Sequence, residues 1–339
     1  MSRGATQEKF IVSGFTLPQN EKIPPAEKKK KIIVLAGPTA VGKSQISLVI
    51  AKAIGGEIIS ADSMQVYRGM DIGTAKVSPQ EQREIQHHLI DTRDLDESFN
   101  VFEFYTEAHA AIHEILDHGA VPIIVGGSGF YIHALIYGPP LAPPAELELR
   151  KSLEHELQTK GIEALYTRLQ EIDPEYAKKI TRNDRHKIVR ALEIHTLTGK
   201  PMSHFVIKLP EHKERYDFRC WFLYYPKEIL YPRIEERCDR MIAQGFVDEV
   251  KKLEQQGLGV NPITSQAIGY RQCLEYLQSV QGPEDWDRFV KQFKQASRRY
   301  AKRQFTWFRK EPLFRWLDLS QTMMDTAIEL IIQDYEISW

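Results

Sequence analysis

One octapeptide constrains this chain more than anything else in it: Gly37-Pro38-Thr39-Ala40-Val41-Gly42-Lys43-Ser44. It satisfies G-x-x-x-x-G-K-[ST] in full. It lies between an unbroken apolar run, Lys31-Ile32-Ile33-Val34-Leu35-Ala36, and a helical pattern from Lys43 to about Ile54. A glycine-rich turn in that position lets successive backbone N–H groups converge on phosphate oxygens at a helix N-terminus. On this reading Gly37, Thr39, Ala40, Val41 and Gly42 shape the cradle. Lys43 reaches the phosphates, and the Ser44 hydroxyl would ligate Mg²⁺. An apolar strand without alternation is one covered on both faces, as in a parallel sheet.

The same rhythm continues. Glu57-Ile58-Ile59-Ser60 reads as a second strand. Phe102 to His118 reads as a helix with Phe102, Ala110, Ile112, Ile115 and Leu116 on one apolar face. Val121 to Val125 reads as a third strand, ended by Gly126-Gly127. Strand, turn, helix, strand predicts an α/β fold: a P-loop NTPase-like, doubly wound parallel sheet. Gly138 to Pro144 holds four prolines and reads as a linker, followed by a charged helical pattern with no strand. Trp221 to Tyr225 marks the return to the sheet, and the remainder reads as helical to about Gln333. The expected organisation is a disordered tail at 1–30, a core at 31–140 and 217–335 with basic C-terminal helices, and an all-helical insertion domain at 141–216 that binds the substrate.

Composition narrows the partners. Net charge is −1 over 339 residues, so a nucleic acid would have to be held by a local patch. One exists: Lys291 to Lys310 carries eight Lys or Arg and no acid, interleaved with Phe293, Tyr300, Phe305, Trp307 and Phe308. Cations with aromatic platforms suit backbone phosphates and unstacked bases. Helical spacing would bury some of those rings. The three cysteines form no CxxC pair, which fits a reduced, cytoplasmic setting. No apolar run is long enough to span a membrane, and the lysine-ended N-terminus lacks the apolar core of a secretory signal.

Two details turn a phosphate loop toward a particular chemistry. Hydrolysing P-loop enzymes carry an acidic residue at the end of a second apolar strand to help hold Mg²⁺. Here that strand ends in Gly126-Gly127-Ser128-Gly129, so the polyphosphate reads better as a leaving group than as a fuel. Asp62 lies just past the second strand, at the edge where open α/β sheets place their sites, and a carboxylate there can take a proton from an amine.

With the P-loop, the stretch Asp62 to Lys76 (DSMQVYRGMDIGTAK), His87-His88-Leu89-Ile90-Asp91, Gly126 to Tyr131, Asn183 to Glu193, Gly269 to Gln272 and Ala301 to Arg309, the chain resembles the tRNA dimethylallyltransferases, or isopentenyltransferases, of bacterial type. The resemblance runs in order from about residue 32 to 317. It implies dimethylallyl pyrophosphate as donor, Mg²⁺ as cofactor, and as acceptor the N6 amine of the adenosine 3′-adjacent to the anticodon. It implies Asp62 as the proton acceptor, Ser128 (in place of the family's usual Thr) at the target nucleotide, and Arg150 near substrate and pyrophosphate. It also implies contacts to the anticodon stem-loop from Ser63, Met64, Gln65, His186, Lys187, Arg190, Gly269, Tyr270, Arg271, Lys302, Arg303, Gln304, Trp307 and Arg309. His186-Lys187 stands where the family often has Gln-Arg, and Lys is no equivalent of Arg at a bidentate site. A monomer is expected. The residues leave three other readings open: a small-molecule or nucleotide kinase, an adenylate prenyltransferase that needs no tRNA surface, and a non-catalytic RNA-binding protein with a relic P-loop.

Overall fold

The computed structural model describes residues 29–205 and 216–337. The tail expected at 1–30 lies almost wholly outside the described residues, as does the stretch 206–215 of the insertion. The chain runs β1 (Lys30–Ala36), α1 (Lys43–Ile54), β2 (Gly56–Ala61), α2 (Pro79–Glu84), β3 (His87–His88), α3 (Val101–Asp117), β4 (Val121–Gly126) and α4 (Gly129–Tyr137). It continues through α5 (Leu147–Ile172), α6 (Pro174–Lys179) and α7 (Arg185–Thr198) to β5 (Tyr216–Tyr224). Last come α8 (Lys227–Ala243), α9 (Phe246–Gln255), α10 (Tyr270–Leu277), α11 (Pro283–Phe308), β6 (Arg315–Asp318) and α12 (Met324–Glu336).

The six strands form one parallel sheet in the order β3-β2-β4-β1-β5-β6, the doubly wound P-loop-like fold. The central strands β1 and β4 are mostly apolar because both faces are covered. Ile32, Val34 and Ala36 enter the layer built with α3, α4 and α8 to α11, whereas Ile33 and Leu35 enter the layer built with α1 and α12. The insertion has a core of its own, in which Leu153, Leu157, Leu165 and Leu169 of α5 meet Ile188 and Leu192 of α7. Gly161 breaks α5 with φ 80° and ψ 165°, a backbone conformation reserved for glycine.

Two details of the sequence reading change. The apolar face of α3 is Phe104, Ala108, Ala111, Ile112 and Ile115, while Phe102 and Ala110 are exposed. Asn100 caps the helix, its Oδ1 accepting from the amides of Phe102 and Glu103, so Phe102 falls in the first turn, outside the packed stripe. The C-terminal region also contains a sixth strand, β6, which pairs with β5. Four residues on a half-exposed edge are too few to display a period. Among the described residues no helix is long and apolar enough to cross a membrane.

Parallel pairing brings the C-terminal ends of the strands to one edge, and the register sets them level. Ala36 of β1 pairs with Gly126 of β4, and Gly126 in turn with Ala61 of β2. Gly37, Gly127 and Asp62 therefore leave the sheet side by side. The fit is close: a Cβ at Gly126 would fall 2.1 Å from the Ala61 carbonyl oxygen, so only glycine can stand there.

Candidate active site

The octapeptide forms the turn its composition demands. Ala40 and Gly42 take positive φ values of 64° and 101°, which curls the loop and turns its amides inward. Lys43 Nζ donates to the carbonyls of Gly37 and Pro38, each at 2.9 Å, so the ammonium lies over the loop. Its pKa is lowered to about 7, first by burial, then by the nearby Arg237 cation, with the Asp62 carboxylate opposing.

Asp62 follows β2 directly. Its Oδ1 accepts from the Met64 amide at 2.9 Å, a short-range bond that fixes the carboxylate's direction. Ser128 stands beside it: its hydroxyl oxygen accepts from the Ser63 amide at 3.1 Å. The Tyr300 phenol bonds the same hydroxyl. Burial, and then the Asp62 carboxylate, push that phenol's pKa well up, and the Ser128 bond only partly offsets this. Tyr300 therefore stays neutral and acts as a hydrogen-bonding group.

Two adjoining cavities open here. The smaller, about 80 Å³, lies against Lys43, Ser44, Gly126, Gly127 and His87. The larger, about 270 Å³, has an apolar side formed by Ile234, Met241, Ile268 and Phe293. Thr39, Asp62, Thr74, Arg237 and Tyr300 line both. The P-loop turn and a half-apolar chamber thus share one wall, and that wall carries a carboxylate and a guanidinium.

Comparison with known proteins bears on what such a pair of chambers serves. A family model described as IPP transferase matches residues 65–311. A tRNA dimethylallyltransferase of Protochlamydia amoebophila is 56% identical over 97% of this chain and 96% of its own length. One from Chlamydia pneumoniae is 46% identical over 91% and 90%. The chain belongs to the IPP transferase family. Among solved structures, the full-length tRNA isopentenylpyrophosphate transferase of Bacillus halodurans is 39% identical, with TM-score 0.66 over 91% of this chain and 97% of that one. A eukaryotic dimethylallyltransferase described as acting on tRNA is 29% identical, with TM-score 0.72 over 92% and 81%.

Within this family member, the structure gathers some expected site residues and disperses others. Asp62, Ser63, Met64 and Arg303 line the larger cavity, and Gln65 lines the smaller. Gln65 is already engaged, accepting from the Ser60 hydroxyl at 2.8 Å and donating to the Thr74 carbonyl at 3.3 Å. Lys302, Arg309 and Trp307 are exposed on and just after α11, and Trp307 sits edge-on to the exposed Phe130 with ring centroids 6.0 Å apart. Arg271 is exposed and paired with Glu275 at 2.9 Å. His186 and Lys187 are exposed in the first turn of α7.

Four residues stand differently from expectation. Arg150 lines neither cavity; its guanidinium donates to Glu193 at 2.9 Å inside the insertion. Arg190 is turned the same way, to Glu193 at 2.7 Å and to the Pro143 carbonyl. Tyr270 lines the larger cavity, but its hydroxyl is already spent, donating to Glu249 at 2.7 Å. Gln304 borders the smaller cavity, buried and held by backbone partners. Gly269 also serves packing: a Cβ there would fall 2.7 Å from the Phe293 ring. The basic stripe is thinner than it reads, because Lys294 pairs with Asp239 at 2.7 Å and Arg298 with Glu235. Phe293 and Phe308 are core.

Arg237 is the residue that sequence reasoning missed. It lies on α8 in line with Leu230, Ile234 and Met241, all buried. A charge on the apolar stripe of an amphipathic helix was the available signal. Glu249 was missed as well. Its carboxylate accepts from the amides of Asp71, Ile72 and Gly73 at 3.1, 2.7 and 3.2 Å, fixing the loop that brings Gly73 and Thr74 to the larger cavity.

Proposed function

We propose that this chain transfers a dimethylallyl group from dimethylallyl pyrophosphate to the exocyclic N6 amine of the adenosine 3′-adjacent to the anticodon in tRNA, releasing pyrophosphate. The observation that carries the reading is the shared wall. The phosphate loop, Arg237 and Asp62 meet where two cavities join, so a leaving diphosphate and an attacking amine can be held on either side of one carbon. β4 ends in glycines rather than an acid, which weighs against the kinase reading.

The loop amides, Lys43 and Arg237 take the diphosphate. Two cations crowded together are stabilised by an anion between them, and they oppose the charge that builds as the C1–O bond breaks. The apolar side of the larger cavity receives the five-carbon chain. The adenine, drawn out of its stack as base-modifying enzymes require, enters beside Ser128 and Asp62. The amine nitrogen bonds to C1, the bonding pair leaves with pyrophosphate, and the amine proton passes to the Asp62 carboxylate.

The Ser44 hydroxyl in the smaller cavity fits Mg²⁺, which binds with few protein ligands plus phosphate oxygens and water. When bound, it would neutralise leaving-group charge. The exposed face of α11 and the tip of the insertion, with His186 and Lys187, would receive the anticodon stem-loop. The three buried free cysteines suit a reducing cytoplasm.

Protein mixed with dimethylallyl pyrophosphate, Mg²⁺ and unmodified tRNA should yield a prenylated adenosine by mass spectrometry. The Asp62→Ala variant should bind tRNA normally and lose most turnover. Near-normal transfer by that variant would remove Asp62 from the chemistry, and phosphorylated product from ATP would replace the whole reading.

A further inference from the structure

Gln304 has a geometry of its own. It is 4% exposed, although it lies one residue from the exposed Arg303. Its Oε1 accepts from the Thr39 amide at 3.0 Å, and its Nε2 donates to the Gly127 carbonyl at 3.0 Å. Both ends of one side chain are thus spent on two different loops, the one after β1 and the one after β4. The approach is close: a Cβ at Gly127 would fall 2.1 Å from Gln304 Nε2. Three residues further along α11, Trp307 covers Gly129, where a Cβ would fall 2.4 Å from the indole ring. One helix therefore grips the Gly127–Gly129 turn at both ends. Ser128, between them, holds the Ser63 amide next to Asp62.

We infer that Gln304 is a positioning residue for the transfer, setting the gap between the diphosphate cradle and the Asp62–Ser128 platform that holds the acceptor. The inference rests on the function proposed above. The β-ladders fix Ala36, Gly126 and Ala61 relative to one another, but the reacting groups ride on the loops beyond them. Transfer from a held leaving group to a held nucleophile is sensitive to small displacements; an error of about 1 Å can cost roughly a hundredfold in rate. Gln304 is rigid enough to serve, because a primary amide pinned at both its oxygen and its nitrogen cannot rotate. It also occupies the Thr39 N–H, which takes that amide out of the set that can meet the diphosphate. The role differs from a tRNA contact, since its polar atoms face inward.

Two variants test this. Gln304→Leu keeps the bulk and loses both bonds. Gln304→Glu keeps the acceptor for Thr39 but faces the Gly127 carbonyl with an anion unless it is protonated. With dimethylallyl pyrophosphate and tRNA, we expect Gln304→Leu to lose about ten- to a hundredfold in kcat, with tRNA affinity by gel shift within about twofold of wild type. We expect Gln304→Glu to regain activity toward acid pH, where the carboxyl can donate to Gly127 again, and to lose it as pH rises. The wild-type profile should lack that limb. Circular dichroism and thermal melts at each pH report folding, and the acid-side recovery of the Glu variant keeps the test informative even if the Leu variant unfolds. Wild-type kcat and KM in Gln304→Leu, a loss confined to tRNA affinity, or a Glu variant whose defect ignores pH would each overturn the inference. Absence of transfer by the wild-type protein would instead count against the function itself.

Discussion

The sheet edge and the helical insertion use the same residue types to opposite ends. In the insertion, the fully buried Glu193 accepts from Arg150 and Arg190, and its other oxygen accepts from the Glu146 amide at 2.8 Å. Burial pushes that carboxyl up, but Arg190, the Glu146 amide and Arg150 together outweigh it and hold it below its usual range. At the sheet edge, Arg237 and Lys43 are desolvated side by side, Asp62 opposes the shift in both, and all three face the cavities. A charge cluster that satisfies itself holds a fold together. One that crowds like charges around a chamber stores an unmet demand for a ligand.

The sharpest break of this comparison exchanges a charge in each cluster. Arg237→Gln should lower kcat/KM for the donor by about a hundred- to a thousandfold, the range for loss of one preorganised charge stabiliser. It should leave the melting temperature unchanged or higher, since a crowded cation is removed. Glu193→Gln should do the reverse. Removing one member of a buried pair costs about 3–5 kcal/mol. Because Arg150 and Arg190 are partly exposed, roughly 2–3 kcal/mol is the expectation here, read as a lowered melting temperature with donor KM little changed. Equal loss of stability in both variants would erase the distinction.

Lys43 sharpens it through pH. A diphosphate beside it favours the ammonium, so the bound pKa lies above the free value of about 7. Below pH 7 the lysine is charged before and after binding, and affinity does not depend on its proton. Above pH 7 binding must take up a proton, and donor affinity falls by up to tenfold per pH unit until the bound pKa is passed. Donor KM measured from pH 6.5 to 9 should rise accordingly, and the Lys43→Arg variant should lose that slope. A flat wild-type profile would place Lys43 away from the diphosphate.

How much of this was legible beforehand follows from range in sequence. The octapeptide, β1, β2 and β4 were readable because strand, turn and helix each carry a local period or composition. Asp62 was readable because it follows a strand end directly, whereas Ser128 was named only through the resemblance. Arg150, Tyr270 and Gln304 read as substrate contacts because nothing local reveals a partner 21 to 265 positions away, whereas Arg190 pairs with Glu193 three residues further along α7, a spacing the helical period could have shown. Gln304 sits in a basic segment, yet it falls on the same side of α11 as Phe293, Ser297, Ala301 and Phe308, all buried. The helical period could have exposed it. Arg237 gave the same signal on α8. In both cases a polar side chain on an apolar stripe marks a residue that lines a cavity.

The smallest expected effects lie on α11, where the comparison can be made within one helix. Lys302 and Arg303 are exposed and form no salt bridge among the described residues, whereas Lys294 and Arg298 are neutralised by Asp239 and Glu235 of α8. A free cation that meets an RNA phosphate releases about 0.7 to 0.9 of a counterion. Lys302→Ala and Arg303→Ala should therefore each flatten the dependence of log tRNA affinity on log salt by nearly one unit. Lys294→Ala should leave that slope alone, because its charge is already spent within the protein, and should cost stability no more than about 1 kcal/mol, as exposed pairs do. A slope that changed equally at positions 294 and 302 would mean that the RNA competes for the α8 carboxylates' partners, and the docking face would then extend along the whole helix rather than its last turns.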